Sequence, residues 1–563
     1  MLHNFIRLSL GTALVFFLIN PFSISTQIVS GDRVDLPSWP EEVLREGSKH
    51  PKLESALEEM LEIYQNRGIE HAASFAAQRN LEMVNGSIRV VMESSIRGIF
   101  KGVAPAAAQW LASVVEVAGG EVECLSSTRM QCLIPIEILA ELADMDSVRT
   151  VRIPFKALPQ ITTEGLSVTH ADLWQSLPPY WGIEIKVGIL DCGFKGVEGL
   201  IGMELPSEVD MRSFRSDGNA FDEEVAFHQA VHGTACAEIV HDMSPASSLA
   251  LAVFETETEF AAAVDWLLDS EVSIILCPVG FLPAVSAGDG SGPICQAVEK
   301  AHEKGILWVN SAGNAAQWSW KGSFLDEDGD RWHNFQFADE TNTIQGNEGT
   351  ILTACLTWDD WGTWDGSAYS GSDQDYDLYL FRESPFTICA KSENVQSGFQ
   401  PPSEIIRFEL PYSGKYHLAV RKRSATGSSF LRLCVAENTS LQLKEPGGSL
   451  LTPADSPHAL SVGAVLWGND AYAPYSSRGP TADGRIKPDL AAPTGVSCAV
   501  LGRNGFNGSS ASAAHVAGAL ALMKSKSPFG LGALRMFLEL RAVDLGTQGQ
   551  DNLYGFGRLD LSR

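Results

Sequence analysis

Between residues 183 and 314, nearly continuous apolar runs alternate with segments of helical spacing. IEIKVGIL (183–190), SLALAVF (248–254), SIILCPVGF (273–281) and ILWVNSAGN (306–314) are the apolar runs. Runs of this kind are what strands buried on both faces look like. HGTACAEIVHDM (232–243), FAAAVDWLLDS (260–270) and ICQAVEKAHEKG (294–305) lie between them with the spacing of amphipathic helices. Strand–helix alternation predicts a parallel sheet with helices on both faces. The pattern stops after Asn314, resumes at HALSVGAVLW (458–467) and continues to the end. Residues 162–314 and 446–563 are therefore read as two parts of one α/β domain.

The interrupting stretch, 315–445, has a different rhythm. Short alternating runs such as TILTACLTW, YDLYLFRE, EIIRFEL, KYHLAVRK and FLRLCVA are separated by turn residues, and six tryptophans fall among them. This predicts an all-β sandwich of seven or eight strands inserted into the α/β domain. Upstream, residues 26–86 contain a stretch of strong helix formers (41–78). Residues 87–155 then read strand, helix, strand, strand, helix, strand, the order of a ferredoxin-like domain.

The chain has 563 residues and a formal charge of −28, with 69 acidic against 41 basic residues. An acidic balance argues against nucleic acid and anionic membrane surfaces as partners. Residues 8–19 (LSLGTALVFFLI) form a short apolar run behind His3 and Arg7, and small residues follow at Ser23 and Ser25. Residues 1–25 thus have the layout of a secretory signal, which predicts a secreted or periplasmic protein. No later run reaches the length of a bilayer span, so no membrane span is expected in the mature chain. Ten cysteines are present. Cys124 and Cys132 flank an expected turn and are candidates for a bridge across a hairpin, but the overall pairing is open.

Four phrases carry chemistry. ILDCGF puts Asp191 at the end of a buried strand, and VHGTACAEIV puts His232 at a helix start. VNSAGN puts Asn314 at another strand end, and NGSSASAAHVAGALALM puts Ser510 in a glycine-flanked turn opening a helix of small residues. The carboxyl ends of parallel strands form the ligand crevice, so these groups should converge on one edge. Acyl transfer needs such a set: a hydroxyl nucleophile, a base to take its proton, a carboxylate to fix the base, and donors for the developing oxyanion. Each residue alone has a structural reading: a strand-end cap for Asp191, a core histidine for His232, a turn residue for Asn314 and a helix cap for Ser510. His241 and His515 are assigned to structure.

The order Asp, His, Asn, Ser and the surrounding phrases resemble the subtilisin-like serine peptidases. GSSASAAHVAG resembles that family's Gly-Thr-Ser-x-Ala-x-Pro-His-Val-Ala-Gly nucleophile motif, HGTA its histidine motif and SAGN its oxyanion motif. SPHALSVGAV, PYSSRGP and IKPDLAAP support the likeness. The sequence departs from the motif at Ser509, Ser512 and Ala514, and Cys192 follows Asp191 where the family has Ser or Thr. None of these removes a catalytic group. The resemblance implies a subtilisin-like fold and a secreted serine endopeptidase acting on protein or peptide substrates through an acyl-enzyme. In it Asp191, His232 and Ser510 form a triad and Asn314 serves the oxyanion hole. It places Pro278, Val279 and Gly280 on one side of the primary substrate pocket and Ser311, Ala312 and Gly313 on the other. It implies that no cofactor is required for catalysis, and that residues 87–155 act as a propeptide, chaperoning and inhibiting the enzyme until cut near 155–165.

Asp326, Asp328 and Asp330, and likewise Asp373, Asp375 and Asp377, have the alternation that starts a calcium loop. Neither completes it, because Phe337 and Ser384 stand where the closing Glu belongs. The competing function is a catalytically inactive subtilase-fold protein that binds protein or glycan through the sandwich. An α/β-hydrolase esterase is excluded by order, since there the serine comes first within G-x-S-x-G.

Overall fold

The computed structural model describes residues 50–78, 81–94, 104–125, 129–154, 162–176, 181–216, 230–337, 339–436, 439–525 and 527–562. The expected signal segment and most of the 155–165 connector lie outside these residues. The chain forms two compact units, split between Leu158 and Pro159.

In the first unit, strands Ser87–Ser94, Glu121–Leu125, Arg129–Pro135 and Val148–Arg152 make an antiparallel sheet in which 148–152 pairs with 87–94, which pairs with 129–135, which pairs with 121–125. Helices Ala104–Val117 and Leu139–Asp144 complete the β-α-β-β-α-β order. The preceding helices, Ser55–Arg67 and Ile69–Gln78, are not a separate segment. Leu57, Met60, Leu61, Ala72 and Ala76 share one core with Ile88, Val90, Met92 and Ile134. The Glu54 N–H donates to the Val151 carbonyl, which ties the entry of the first helix to the sheet.

The second unit is built on seven parallel strands: β1 (Lys186–Asp191), β2 (Val209–Ser213), β3 (Ser248–Val253), β4 (Ile274–Cys277), β5 (Leu307–Ser311), β6 (Ala459–Leu466) and β7 (Leu490–Thr494). Their order is β7-β6-β5-β4-β1-β3-β2. Strand order reverses beside β1, the position where open α/β sheets form ligand crevices. The helices that matter here are α1 (His232–Met243), α2 (Glu257–Asp269), α3 (Pro293–Glu303) and α4 (Ser509–Lys524). One face of the sheet packs on α1 and α4 and the other on α2 and α3. This is the parallel sheet with helices on both faces that the alternation of apolar runs and helical segments predicts. Among the described residues no helix is long and apolar enough to cross a membrane.

α4 is buried on every side from Ser509 to Met523, which explains its run of Ala, Ser and Gly. A Cβ added at Gly518 would lie 2.5 Å from Met243 Cβ, so α1 and α4 nearly touch at this point. That contact is about 12 Å along α4 from Ser510 and about 16 Å along α1 from His232, at ~1.5 Å per residue. Both helices start at the carboxyl edge of the sheet, His232 bonding Asp191 at the end of β1 and Ser510 bonding the Pro278 carbonyl just after β4.

The insert forms two four-stranded antiparallel sheets around Leu352, Leu356, Trp358, Tyr376, Leu378, Leu418 and Leu433. This is the eight-strand form of the expected sandwich. Beside β6 and β7, the Asp489 carboxylate receives Lys487 Nζ at 2.6 Å, Arg535 Nη2 at 2.9 Å and the Ser461 N–H at 2.7 Å, and it is only 5% exposed. Asp489→Asn leaves the Lys487 charge buried without its counter-ion. Such a loss costs about 3–5 kcal/mol, and chemical denaturation of the variant is expected to show it.

Two sequence expectations do not fit. All ten cysteines are free thiols. A bulge between Val122 and Cys124 sets Cys132 opposite Val122 and Cys124 opposite Gln131, with Cys132 buried and Cys124 exposed, so these two do not bridge. Asp375 and Asp377 lie within the strand Asp375–Arg382, an extended segment that cannot curl around an ion as a calcium loop does. The Asp326 carboxylate accepts from the Gly329 and Arg331 N–H groups, and Asp330 accepts from the Trp332 N–H.

Candidate active site

Asp191 is the last residue of β1 and is fully buried. Its Oδ1 accepts from the Cys192 N–H at 2.8 Å and the Gly193 N–H at 3.3 Å, so the turn that follows the strand fixes the carboxylate. Its Oδ2 accepts from His232 Nδ1 at 2.7 Å. His232 opens α1. The Gly233 N–H donates to the Gly193 carbonyl at 2.9 Å, locking the start of α1 to the turn after Asp191. An ionised carboxylate can only accept, so Nδ1 carries the proton and Nε2 is left as the basic nitrogen. The ring packs edge-on against Phe506 at 5.6 Å. Burial opposes protonation of His232, but the charge of Asp191 and its hydrogen bond outweigh this, and the pKa lies above the usual imidazole value.

Ser510 is the second residue of α4 and is 4% exposed. Its hydroxyl donates to the Pro278 carbonyl at 2.7 Å. It is not hydrogen-bonded to His232 in this conformer. The turn before it depends on Gly508, whose φ of 138° is closed to side-chain-bearing residues. The Gly508 N–H donates to Thr494 Oγ1 at 2.8 Å and to the Tyr475 hydroxyl at 3.1 Å. Thr494 and Tyr475 thus set the turn; Tyr475 lies in the PYSSRGP phrase and Thr494 directly follows IKPDLAAP.

Asn314 follows β5. Its Oδ1 accepts from the Ser509 N–H at 3.0 Å and the Ser509 hydroxyl at 3.1 Å, and Ser509 Oγ in turn accepts from the Gly313 N–H at 3.1 Å. A hydroxyl at position 509 is therefore needed, which explains why Ser can replace the family's Thr there. With Oδ1 committed to donors, Nδ2 faces the other way. A Cβ placed on Gly508 would lie 3.3 Å from Asn314 Nδ2 and 3.8 Å from Ser510 Oγ, so these two groups share one side of the turn. Ser477, from the PYSSRGP phrase, anchors the Asn314 loop: its hydroxyl receives the Ala315 N–H and its N–H donates to the Gly313 carbonyl, both at 2.8 Å.

Pro278, Val279 and Gly280 leave β4, and Ser311, Ala312 and Gly313 leave β5, its neighbour. Between them stands Leu451, which sequence reading missed. Added Cβ atoms would meet its side chain at 2.6 Å from Gly280 and 2.8 Å from Gly313. The Leu451 N–H donates to the Ala312 carbonyl at 3.2 Å, and the Phe281 N–H donates to the Thr452 carbonyl at 2.8 Å. One strand of loop is thus bonded to both walls.

Cys236 lies one turn into α1, and its ligand atom groups with those of Asp191 and His232 within 4.8 Å. Burial pushes the Cys236 thiol pKa well above its usual value. Asp326, Asp328 and Asp330 form the other group within ligand distance among the described residues. His515, as expected, is structural: Nδ1 donates to the Ala511 carbonyl at 2.7 Å and Nε2 meets Thr163 Oγ1 at 2.8 Å, in full burial.

Residues 406–557 match the sequence model of the subtilase family, a stretch that contains Ser510 but not Asp191, His232 or Asn314. No curated protein matches the chain. Among solved structures, the chain is similar to the CspB protease of Clostridium perfringens, at 16% identity and a TM-score of 0.49 over 70% of this chain and 97% of that one. It is similar to MycP1 from Mycobacterium smegmatis at 13% identity and a TM-score of 0.36, over 72% and 85%. It is similar to fervidolysin from Fervidobacterium pennivorans, a keratinolytic enzyme related to subtilisin, at 15% identity and a TM-score of 0.34, over 85% and 61%.

Proposed function

We propose that the chain is a subtilase-type serine peptidase, a secreted endopeptidase using Ser510 as nucleophile, His232 as general base and Asp191 as the brace, a reading supported by the match of residues 406–557 to the subtilase family model. The observation that carries this reading is the 2.7 Å bond from His232 Nδ1 to Asp191, which leaves Nε2 basic at the mouth of the α1/α4 pair. Rotation about the Ser510 Cα–Cβ bond turns the hydroxyl from the Pro278 carbonyl towards Nε2. The oxygen attacks the scissile carbonyl as the proton passes to His232, and the tetrahedral oxyanion takes hydrogen bonds from Asn314 Nδ2 and the Ser510 N–H. The positive end of α4 favours the same charge. Protonated His232 then gives its proton to the leaving amine, and water releases the acyl group by the reverse path. A fluorophosphonate probe tests the assignment: wild type is expected to be labelled and Ser510→Ala is not. Absence of labelling in wild type would favour the inactive, sandwich-binding alternative.

The donor role of Asn314 has its own test. Asn314→Ala is expected to lower kcat on the order of 10²–10³-fold, the loss measured for an oxyanion donor in subtilisin, in steady-state assays on a peptide amide.

Leu451 makes the primary pocket shallow, so the preferred residue before the cut bond is small. Leu451→Gly is expected to raise kcat/KM for a phenylalanine substrate relative to an alanine one by about 10–200-fold, the range that small changes of pocket volume give. A matched pair of peptide substrates measures it.

Residues 87–155 act in this reading as inhibitor and folding aid, released by a cut in the connector. The cut falls before Thr163. From there the chain is embedded: Thr163 bonds His515, and the Glu164 carboxylate receives the Ser497 N–H and hydroxyl at 2.7 Å each. N-terminal sequencing of active enzyme locates it. Calcium at Asp326, Asp328 and Asp330 stays a proposal about stability, not catalysis.

A further inference from the structure

A cavity of about 520 Å³ lies at the seam between the inserted sandwich and the parallel-sheet domain. This is within the ~300–1,000 Å³ range of small-molecule sites. Its walls come from both parts. Trp358, Trp361, Phe430, Lys321 and Arg432 belong to the sandwich, and Leu450 to the α/β domain.

Its polar groups are unequally occupied. Asp359 and Asp455 also line it, but they are already accepting. Asp359 Oδ1 takes the Phe430 N–H at 3.0 Å, and Asp455 Oδ2 takes the Gly290 N–H at 2.9 Å and the Ser286 hydroxyl at 3.4 Å. The cations have donors to spare. Arg432 Nη2 donates to the Leu450 carbonyl at 2.6 Å, while its Nε is buried with no acceptor. Lys321 Nζ makes no hydrogen bond among the described residues. Its pKa is lowered by burial and by the nearby charge of Arg432, against the pull of Glu445. A buried donor without an acceptor is costly, and the buried Arg432 Nε together with the half-buried, unbonded Lys321 Nζ, beside three aromatic rings, describes a host for an anion with a flat apolar body.

We propose that this seam cavity binds a small aromatic carboxylate, its ring against Trp358, Trp361 and Phe430 and its charge on Lys321 and Arg432. The site is separate from the peptidase centre. It adjoins it through one stretch of chain, because Leu450 lines the cavity while Leu451 stands between Gly280 and Gly313.

Isothermal titration of the full chain with 2-naphthoate tests this. One site per chain is expected. Binding should weaken at least tenfold in Lys321→Met, the factor a charge-assisted hydrogen bond supplies at ~1.5–3 kcal/mol. It should be restored in large part by Lys321→Arg. Neutral 2-naphthalenemethanol should bind at least about tenfold more weakly than the carboxylate, for the same reason, a comparison that needs no variant. Binding should be unchanged in Ser510→Ala and after labelling with a peptidyl phosphonate. No binding, equal affinity for the neutral compound, equal affinity in Lys321→Met, or loss of binding when the peptidase cleft is blocked would each overturn the proposal.

Discussion

Ser510→Ala is expected to lower kcat on a peptide substrate on the order of 10⁶-fold, the loss measured in subtilisin when the nucleophile or base of such a unit is removed. His232→Ala should lose about as much. The double variant should lose little more, because a base without a nucleophile and a nucleophile without a base are equally idle. A residual rate about 10³–10⁴-fold above water should persist in all three, supplied by the oxyanion donors and by substrate binding. The fold should survive, since the Ser510 side chain contributes one hydrogen bond, to the Pro278 carbonyl, worth about 1 kcal/mol. Stopped-point product assays and thermal melts of the same preparations measure both quantities. Activity within tenfold of wild type in Ser510→Ala would remove the nucleophile assignment.

The parts that were legible in the sequence are those where local pattern and chemistry coincide. Buried parallel strands read as apolar runs whatever their neighbours, so β1, β3, β4, β5 and β6 stood out. Asp191 and Asn314 end or follow two of these strands, and His232 and Ser510 open the two helices beside them. What was illegible depended on distant partners. β2 is a short edge strand whose residues alternate between half-buried and exposed, so it carries no apolar signal. Leu451 looks like any loop leucine until the folded chain sets it between Gly280 and Gly313. The helices at 55–78 gave up their periodicity to the eye but not their destination, because the core they complete is supplied by strands 87–94 and 129–135. The cysteine pair failed for a similar reason. A bulge of one residue at Val122/Cys124 turns Cys124 and Cys132 to opposite faces, and no spacing rule sees a bulge.

Asp191→Asn separates the brace from the base. The shape of the site is retained, but an amide can present an N–H where the carboxylate accepted, and His232 then turns its proton towards Ser510 instead of its lone pair. The expected fall in kcat is about 10⁴-fold, the size known for this exchange in a Ser–His–Asp unit. The pH profile distinguishes this from a general loss of structure. In wild type, burial of His232 opposes the imidazolium, yet the Asp191 charge and hydrogen bond raise its pKa above 6.5. Catalysis needs the neutral ring, so kcat/KM should rise with pH through a midpoint above 6.5 and stay high beyond it. With asparagine at 191 the raising influences are gone and burial acts alone, so the midpoint should move below its wild-type position. A variant that loses activity without moving the acid limb would show that the carboxylate at 191 does not face the catalytic base in the working enzyme.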